Sequence, residues 1–213
     1  MLSDNIAIVV LAGELGGPLL LEGARAELIV CADGAAEQAR SAGLECQAVV
    51  GDLDSISPDT LRFFRERGAE ILSVPDQDHN DFEKALDYLL TKWSGDVHVY
   101  GMTGGRLDHA LANLSIMLRY TGRFRSLLAF DSTSEYRFLT KDRDQCSMEC
   151  PIGTRISLIP FGEAMGVVTK NLRYPLAMEM LRLGQREGLS NQATGSPVSI
   201  SIEKGAMLVA VAL

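Results

Sequence analysis

Between Ile6 and Phe130, short apolar runs alternate with stretches of helical periodicity. This alternation limits the possible folds more than any other feature of the 213-residue chain. Strands are expected at Ile6–Leu11, Leu28–Cys31, Ala48–Val50, Glu70–Val74, Val97–Tyr100 and Leu127–Phe130, with helices at Gly34–Ser41, Pro58–Arg67, Asp81–Trp93 and His109–Tyr120. Strands separated by helices do not pair as hairpins. They join through right-handed crossovers into a mainly parallel sheet covered on both faces. The third helix shows the pattern best: Phe82, Ala85, Leu86, Leu89, Leu90 and Trp93 recur on one face. Asn80, three residues before Glu83, has the spacing of an N-cap.

After Asp131 the texture changes. Glu135–Thr140, Arg155–Pro160, Gly166–Thr169, Val198–Ile202 and Ala206–Ala210 read as short strands joined by turn residues, and only Pro175–Leu183 reads as helical. The expected fold class is α/β: a mainly parallel α/β sheet domain over residues 1–131, then a smaller all-β sandwich domain over 132–213. The boundary is expected near residues 131–134. No internal repeat or low-complexity stretch interrupts either half.

Composition narrows the function classes. With 46% hydrophobic and 23% charged residues the chain reads as an ordinary soluble globular protein. A net charge of −8 argues against a nucleic-acid surface, which needs a basic stripe to displace counterions. The same charge repels an anionic nucleotide unless metal ions and local Arg or Lys residues invert the field. Cys31 and Cys46 sit in or near strand-like runs and read as buried thiols, while Cys146 and Cys150 lack the partners of a zinc site. No signal peptide is evident, and no apolar run approaches the roughly 20 residues that span a bilayer. A reducing, cytoplasmic setting without membrane partners is expected.

Three acidic clusters fall where an expected strand gives way to an expected helix: Gly51-Asp52-Leu53-Asp54-Ser55, Asp76-Gln77-Asp78-His79-Asn80-Asp81 and Gly104-Gly105-Arg106-Leu107-Asp108-His109. In an open parallel sheet such junctions share the edge that binds ligands. Separate carboxylates converging there suit Mg²⁺ held against phosphates, because the hard cation takes oxygen ligands and keeps several waters. In Asp52-Leu53-Asp54, alternation along an extended segment puts both carboxylates on one side. Asp33 ends the second strand at the same edge. The glycines of Gly101-Met102-Thr103-Gly104-Gly105-Arg106 admit backbone N–H groups close to a phosphate, and Arg106 offers a bidentate guanidinium. No G-x-x-x-x-G-K-[ST] sequence exists, so this is not a Walker A loop. Each motif has a plainer reading: acids at a helix start complement its dipole, D-x-D is a solvated turn, Asp33 caps a helix, and His109 makes a helix-start hydrogen bond. Recurrence at equivalent junctions favours metal-dependent phosphate chemistry.

Taken together and in order, Cys31-Ala32-Asp33-Gly34-Ala35, Gly51–Ile56, Pro75–Phe82 and Gly105-Arg106-Leu107-Asp108-His109 resemble the thiamine pyrophosphokinase family. Asn171-Leu172-Arg173-Tyr174-Pro175-Leu176 and Gly188-Leu189-Ser190-Asn191 are similar to the family's thiamine-side motifs, so the resemblance runs over roughly residues 5–212. Any one motif is moderately specific; the ordered set is strong. It implies Mg²⁺-dependent transfer of diphosphate from ATP to the hydroxyethyl group of thiamine, giving thiamine diphosphate and AMP. By the same resemblance, Asp52, Asp54, Asp81 and Asp108 serve the metal and diphosphate, with Asp52, Asp54 and Asp81 as metal ligands. Asp33, Gln77, Asp78, Thr103, Gly104 and Arg106 fall to ATP, and Ser190 and Asn191 to thiamine. The resemblance also implies a homodimer whose clefts are shared between one subunit's α/β domain and the other's β domain. Asn80 departs from the Thr of many members, and either residue caps a helix. Two alternatives stand beside this reading: a related pyrophosphokinase acting on a hydroxymethyl-pterin, and a non-catalytic nucleotide or thiamine sensor.

Overall fold

The computed structural model describes residues 5–16, 18–23, 25–76 and 78–213. The chain folds into two compact units, Met1–Ser132 and Thr133–Leu213, each with its own apolar core.

The first unit contains strands β1 (Ile6–Val10), β2 (Leu28–Ala32), β3 (Ala48–Gly51), β4 (Glu70–Ser73), β5 (Asp96–Tyr100) and β6 (Ser126–Phe130). Their order across the sheet is β4-β3-β2-β1-β5-β6, and every adjacent pair is parallel. Val9 lies opposite Val30 on one side and Val99 on the other. Strand order therefore reverses at β1, and beyond the carboxyl ends of β1 and β5 such a sheet leaves a crevice for ligands. Burial explains the sequence pattern, since every residue of β1 and β3 is covered on both faces.

Helices α1 (Leu19–Gly23), α2 (Ala36–Ser41), α3 (Pro58–Glu66), α4 (Asp81–Leu90) and α5 (Leu107–Tyr120) connect these strands, with a 3₁₀ turn at Asp33–Ala35 before α2. The starts of α3 and α4 follow from their caps: Ser57 accepts from the Thr60 N–H, and Asn80 Oδ1 accepts from the Glu83 N–H at 3.0 Å. Phe82, Ala85, Leu86 and Leu89 of α4 are buried against β1, β2 and β3. Each large one stabilises by about 1.5–3 kcal/mol on burial. No helix among the described residues is long and apolar enough to cross a membrane.

The second unit is built on strands β7 (Ser134–Thr140), β8 (Gln145–Met148), β9 (Arg155–Lys170), β10 (Ala177–Arg182), β11 (Gly188–Gln192), β12 (Val198–Ser201) and β13 (Lys204–Ala212). No helix occurs among its described residues. Two expected strands, Arg155–Pro160 and Gly166–Thr169, are the ends of the single strand β9. One edge of β9 pairs with β13 and then β12, the other with β11 and then β10. The expected helix at Pro175–Leu183 is wrong: Ala177–Arg182 is an antiparallel strand on β9. Its Ala, Met, Glu and Leu residues favour helix locally, but pairing with β9 and burial of Leu176 and Leu181 outweigh that preference. Met178, at φ +61°, breaks the helical path and accompanies a shift of register.

Candidate active site

Three carboxylates meet at the carboxyl edge of the parallel sheet. Asp33 follows β2, Asp52 follows β3 and Asp81 opens α4, and one oxygen of each lies within 4.8 Å of the others. Asp33 is 1% exposed. Its Oδ2 accepts from the Leu53 N–H at 2.7 Å, whereas its buried Oδ1 has no hydrogen-bond partner among the described residues. Gly51 makes the room, because a Cβ there would stand 2.6 Å from Asp33 Cγ. Burial, and then the charge of Asp81, raise the Asp33 pKa from 3.8 to about 6. A buried acceptor without a donor is costly unless something positive completes it. Three hard oxygens around one point are the donor set that a divalent hard cation takes.

The structure brings Asp52 and Asp81 together with Asp33 and leaves Asp54 outside that cluster. Asp52-Leu53-Asp54 is a turn and not the extended segment expected from alternation. Leu53 has φ +66°, and the Asp54 N–H donates to Asp52 Oδ1 at 3.3 Å. The cause is Asp33, which captures the Leu53 N–H and folds the segment back. Asp54 is exposed and accepts from the Ser55 hydroxyl at 2.9 Å.

An open cleft of about 630 Å³ adjoins the cluster, with Asp52, Asp78, Asp81, Thr103 and Arg106 among its walls. Its floor is a pairing of two loops beyond the sheet. The Gly13 N–H donates to the Gly101 carbonyl at 2.9 Å and the Glu14 N–H to the Thr103 carbonyl at 2.7 Å. This approach requires glycine at 101, where φ is +75° and a Cβ would stand 2.1 Å from the Leu11 carbonyl oxygen. Thr103 donates to Asp131 at 3.3 Å, and Gly104 turns the loop toward α5. Asp78 donates its N–H to Asp76 at 2.8 Å, and Asp76 in turn pairs with His79. Gln77 lies outside the described residues. Arg106 and Asp108 form a two-point ion pair at 2.5 and 3.1 Å. The Arg106 guanidinium holds the Asp108 carboxyl down at about 2. The pair occupies Nε and Nη2 of Arg106 and leaves Nη1 to reach a phosphate.

Two cleft residues escaped the sequence reading. Lys84 is buried with its ammonium 3.3 Å from Asp81, and its signal was a lysine three residues after an acid on one helix face. Asn113 donates to the Met102 carbonyl at 3.1 Å and fixes the glycine loop; nothing in the sequence marked it.

Ser190 and Asn191 belong to the second unit. Ser190 is exposed at φ +54°, with its N–H on the Ser157 hydroxyl at 2.9 Å. Asn191 is buried beside a small cavity of about 190 Å³ lined by Leu158, Tyr174, Leu176, Leu181 and Leu189.

Comparison with known proteins agrees with this division. Residues 21–128 match the thiamin pyrophosphokinase catalytic domain, and residues 142–207 match the thiamin pyrophosphokinase vitamin B1 binding domain. Thiamine pyrophosphokinase 1 of Oryza sativa subsp. japonica is 28% identical over 93% of this chain and 84% of its own length. Thiamine pyrophosphokinase of Bacillus subtilis is 28% identical over 79% of each. The crystal structure of the Bacillus subtilis enzyme superposes with a TM-score of 0.82 at 23% identity, covering 98% of both chains. Thiamin pyrophosphokinase from Candida albicans superposes at 0.86 with 15% identity, over 98% of this chain and 88% of that one. With both of the family's domains matched in order, the chain belongs to the thiamin pyrophosphokinase family.

Proposed function

We propose that this enzyme transfers diphosphate from ATP to the hydroxyl of thiamine, using residues 1–131 for ATP and metal and residues 132–213 for thiamine and dimerisation. The observation that carries the reading is the convergence of Asp33, Asp52 and Asp81 beside the cleft, in a chain with both family domains. The acceptor oxygen attacks the β-phosphorus, the bond from that phosphorus to the oxygen bridging toward the α-phosphorus breaks, and AMP leaves. Such a transfer asks for alignment and charge neutralisation more than covalent help.

Mg²⁺ is the proposed metal, and the orphaned Asp33 Oδ1 together with the three-carboxylate cluster fits it. Asp33, Asp52 and Asp81 would hold it, and when bound it would offset charge on the phosphate oxygens. Asp78, Thr103, Gly104 and Arg106 are proposed to line the nucleotide, with Gln77 beside them. Asp54 is kept as a metal-side residue at the rim, and its exposed carboxylate suits receipt of the hydroxyl proton. Asp108, held near 2 by Arg106, is a poor proton acceptor and instead steers that guanidinium. Ser190 is proposed at the thiamine, whose cationic ring an acidic chain attracts. Two copies of the chain are proposed to share their clefts, and a cytoplasmic setting is supported by four free cysteines, two of them buried. Incubation with ATP, Mg²⁺ and thiamine should yield thiamine diphosphate and AMP in equal amounts by mass spectrometry. Thiamine monophosphate and ADP would refute diphosphate transfer.

A further inference from the structure

The hydrogen bonds of Asn191 tie its side chain to backbone. Its Oδ1 accepts from the Tyr174 N–H at 3.1 Å and the Gln192 N–H at 2.9 Å, and its Nδ2 donates to the Tyr174 carbonyl at 2.7 Å. An asparagine side chain offers two acceptor positions and two donors. Three of those four are spent on backbone, in a residue that is 6% exposed. The sequence around Tyr174 explains the need. Residues 171–173 run antiparallel to residues 192–194, with the Arg173 N–H on the Gln192 carbonyl at 2.9 Å and the Thr194 N–H on the Asn171 carbonyl at 2.8 Å. Pro175 has no N–H and ends that ladder. The Asn191 carboxamide then stands in for a peptide and satisfies both polar groups of residue 174.

Tyr174 itself is 63% exposed and stands at the cavity of Leu158, Leu176, Leu181 and Leu189. The Arg173 guanidinium lies 5.6 Å from its ring centroid. A large aromatic left open beside a hollow walled by these leucines, with Arg186 and Glu187 also on its lining, suits a flat ring ligand. We propose that Asn191 is a positioning residue: it fixes the backbone of residue 174 so that the Tyr174 ring meets the acceptor, without contacting the acceptor itself. This inference rests on the reading that the second unit holds thiamine.

A double-mutant cycle on the full-length protein tests it, with thiamine-dependent AMP release as readout. Asn191→Ala and Tyr174→Ala should each raise the thiamine KM by about tenfold, the scale of one aromatic contact, while the ATP KM and kcat stay within about twofold. The double variant should be no worse than Tyr174→Ala, because Asn191 acts only through that ring. Multiplied losses, to about a hundredfold, would mean that Asn191 touches the acceptor and would overturn the proposal. An equal rise in both KM values would overturn it as well. If melting curves show Asn191→Ala unfolded, Asn191→Gln, which moves the carboxamide by one methylene, enters the same cycle. Absence of thiamine-dependent AMP release from the wild type would overturn the acceptor reading itself. A normal wild type with multiplied losses would overturn only the role of Asn191.

Discussion

Asp33 is where stability and function oppose each other most directly. Its raised pKa means that the folded protein binds the proton more tightly than the unfolded chain. The contribution of Asp33 to stability is therefore greatest below 3.8 and is lost as pH rises through about 6. In metal-free protein at pH 7.5, Asp33→Asn should melt a few degrees above wild type, because it removes a buried charge and keeps the acceptor for Leu53. The two melting curves should converge below the ordinary carboxylate range. AMP release by the same variant should fall at least about a hundredfold if the proposed metal sits in the cluster, since one of its three carboxylates is neutralised. A variant that melts lower and retains turnover would show that Asp33 is merely a turn residue. Gly51→Ala pushes on the same carboxylate and should cost more than about tenfold in rate and about 1–3 kcal/mol of stability.

Among the elements, α1 is tied to the sheet by polar contacts. Glu22, buried, accepts from His98 Nδ1 at 2.6 Å and from the Tyr100 hydroxyl, while Tyr100 stacks on Phe130. Burial pushes the Glu22 carboxyl up, but the hydrogen bonds from His98 and Tyr100 outweigh it and leave the pKa below 4.5. The sign follows: this contribution is present above 4.5 and fades as pH falls through the lower folded value. Glu22→Ala should destabilise the fold at pH 7 by roughly 2–3 kcal/mol, and the gap to wild type should narrow in acid. A gap that widens in acid would contradict the assignment. This network also shows what the sequence could not carry. The parallel sheet and α4 were legible, because double burial leaves unbroken apolar runs and Asn80 marks a helix start. The strand at 177–182 was hidden, because its local preference is helical and only β9 reverses it. In the site, the acids were visible as three clusters, but the choice of Asp33 over Asp54 as Asp52's neighbour depends on the Leu53 turn, which no spacing encodes. Lys84 was hidden among the apolar residues of α4.

For the molecule as a whole, the proposal of shared clefts makes a quantitative claim. An Asp81 variant mixed with a Ser190 variant should regain activity after subunit exchange, with about a quarter of clefts carrying both wild-type residues. No recovery after verified exchange would mean that each chain completes its own site. The central claim is that the Asp33–Asp52–Asp81 cluster drives diphosphate transfer to thiamine through a bound divalent cation. The most direct measurement is AMP release from ATP by wild type and Asp81→Asn, with and without thiamine and with and without Mg²⁺. The account predicts release only in wild type with thiamine and Mg²⁺ both present, and a folded but silent Asp81→Asn. Release independent of Mg²⁺, or turnover by Asp81→Asn within a few-fold of wild type, would contradict it.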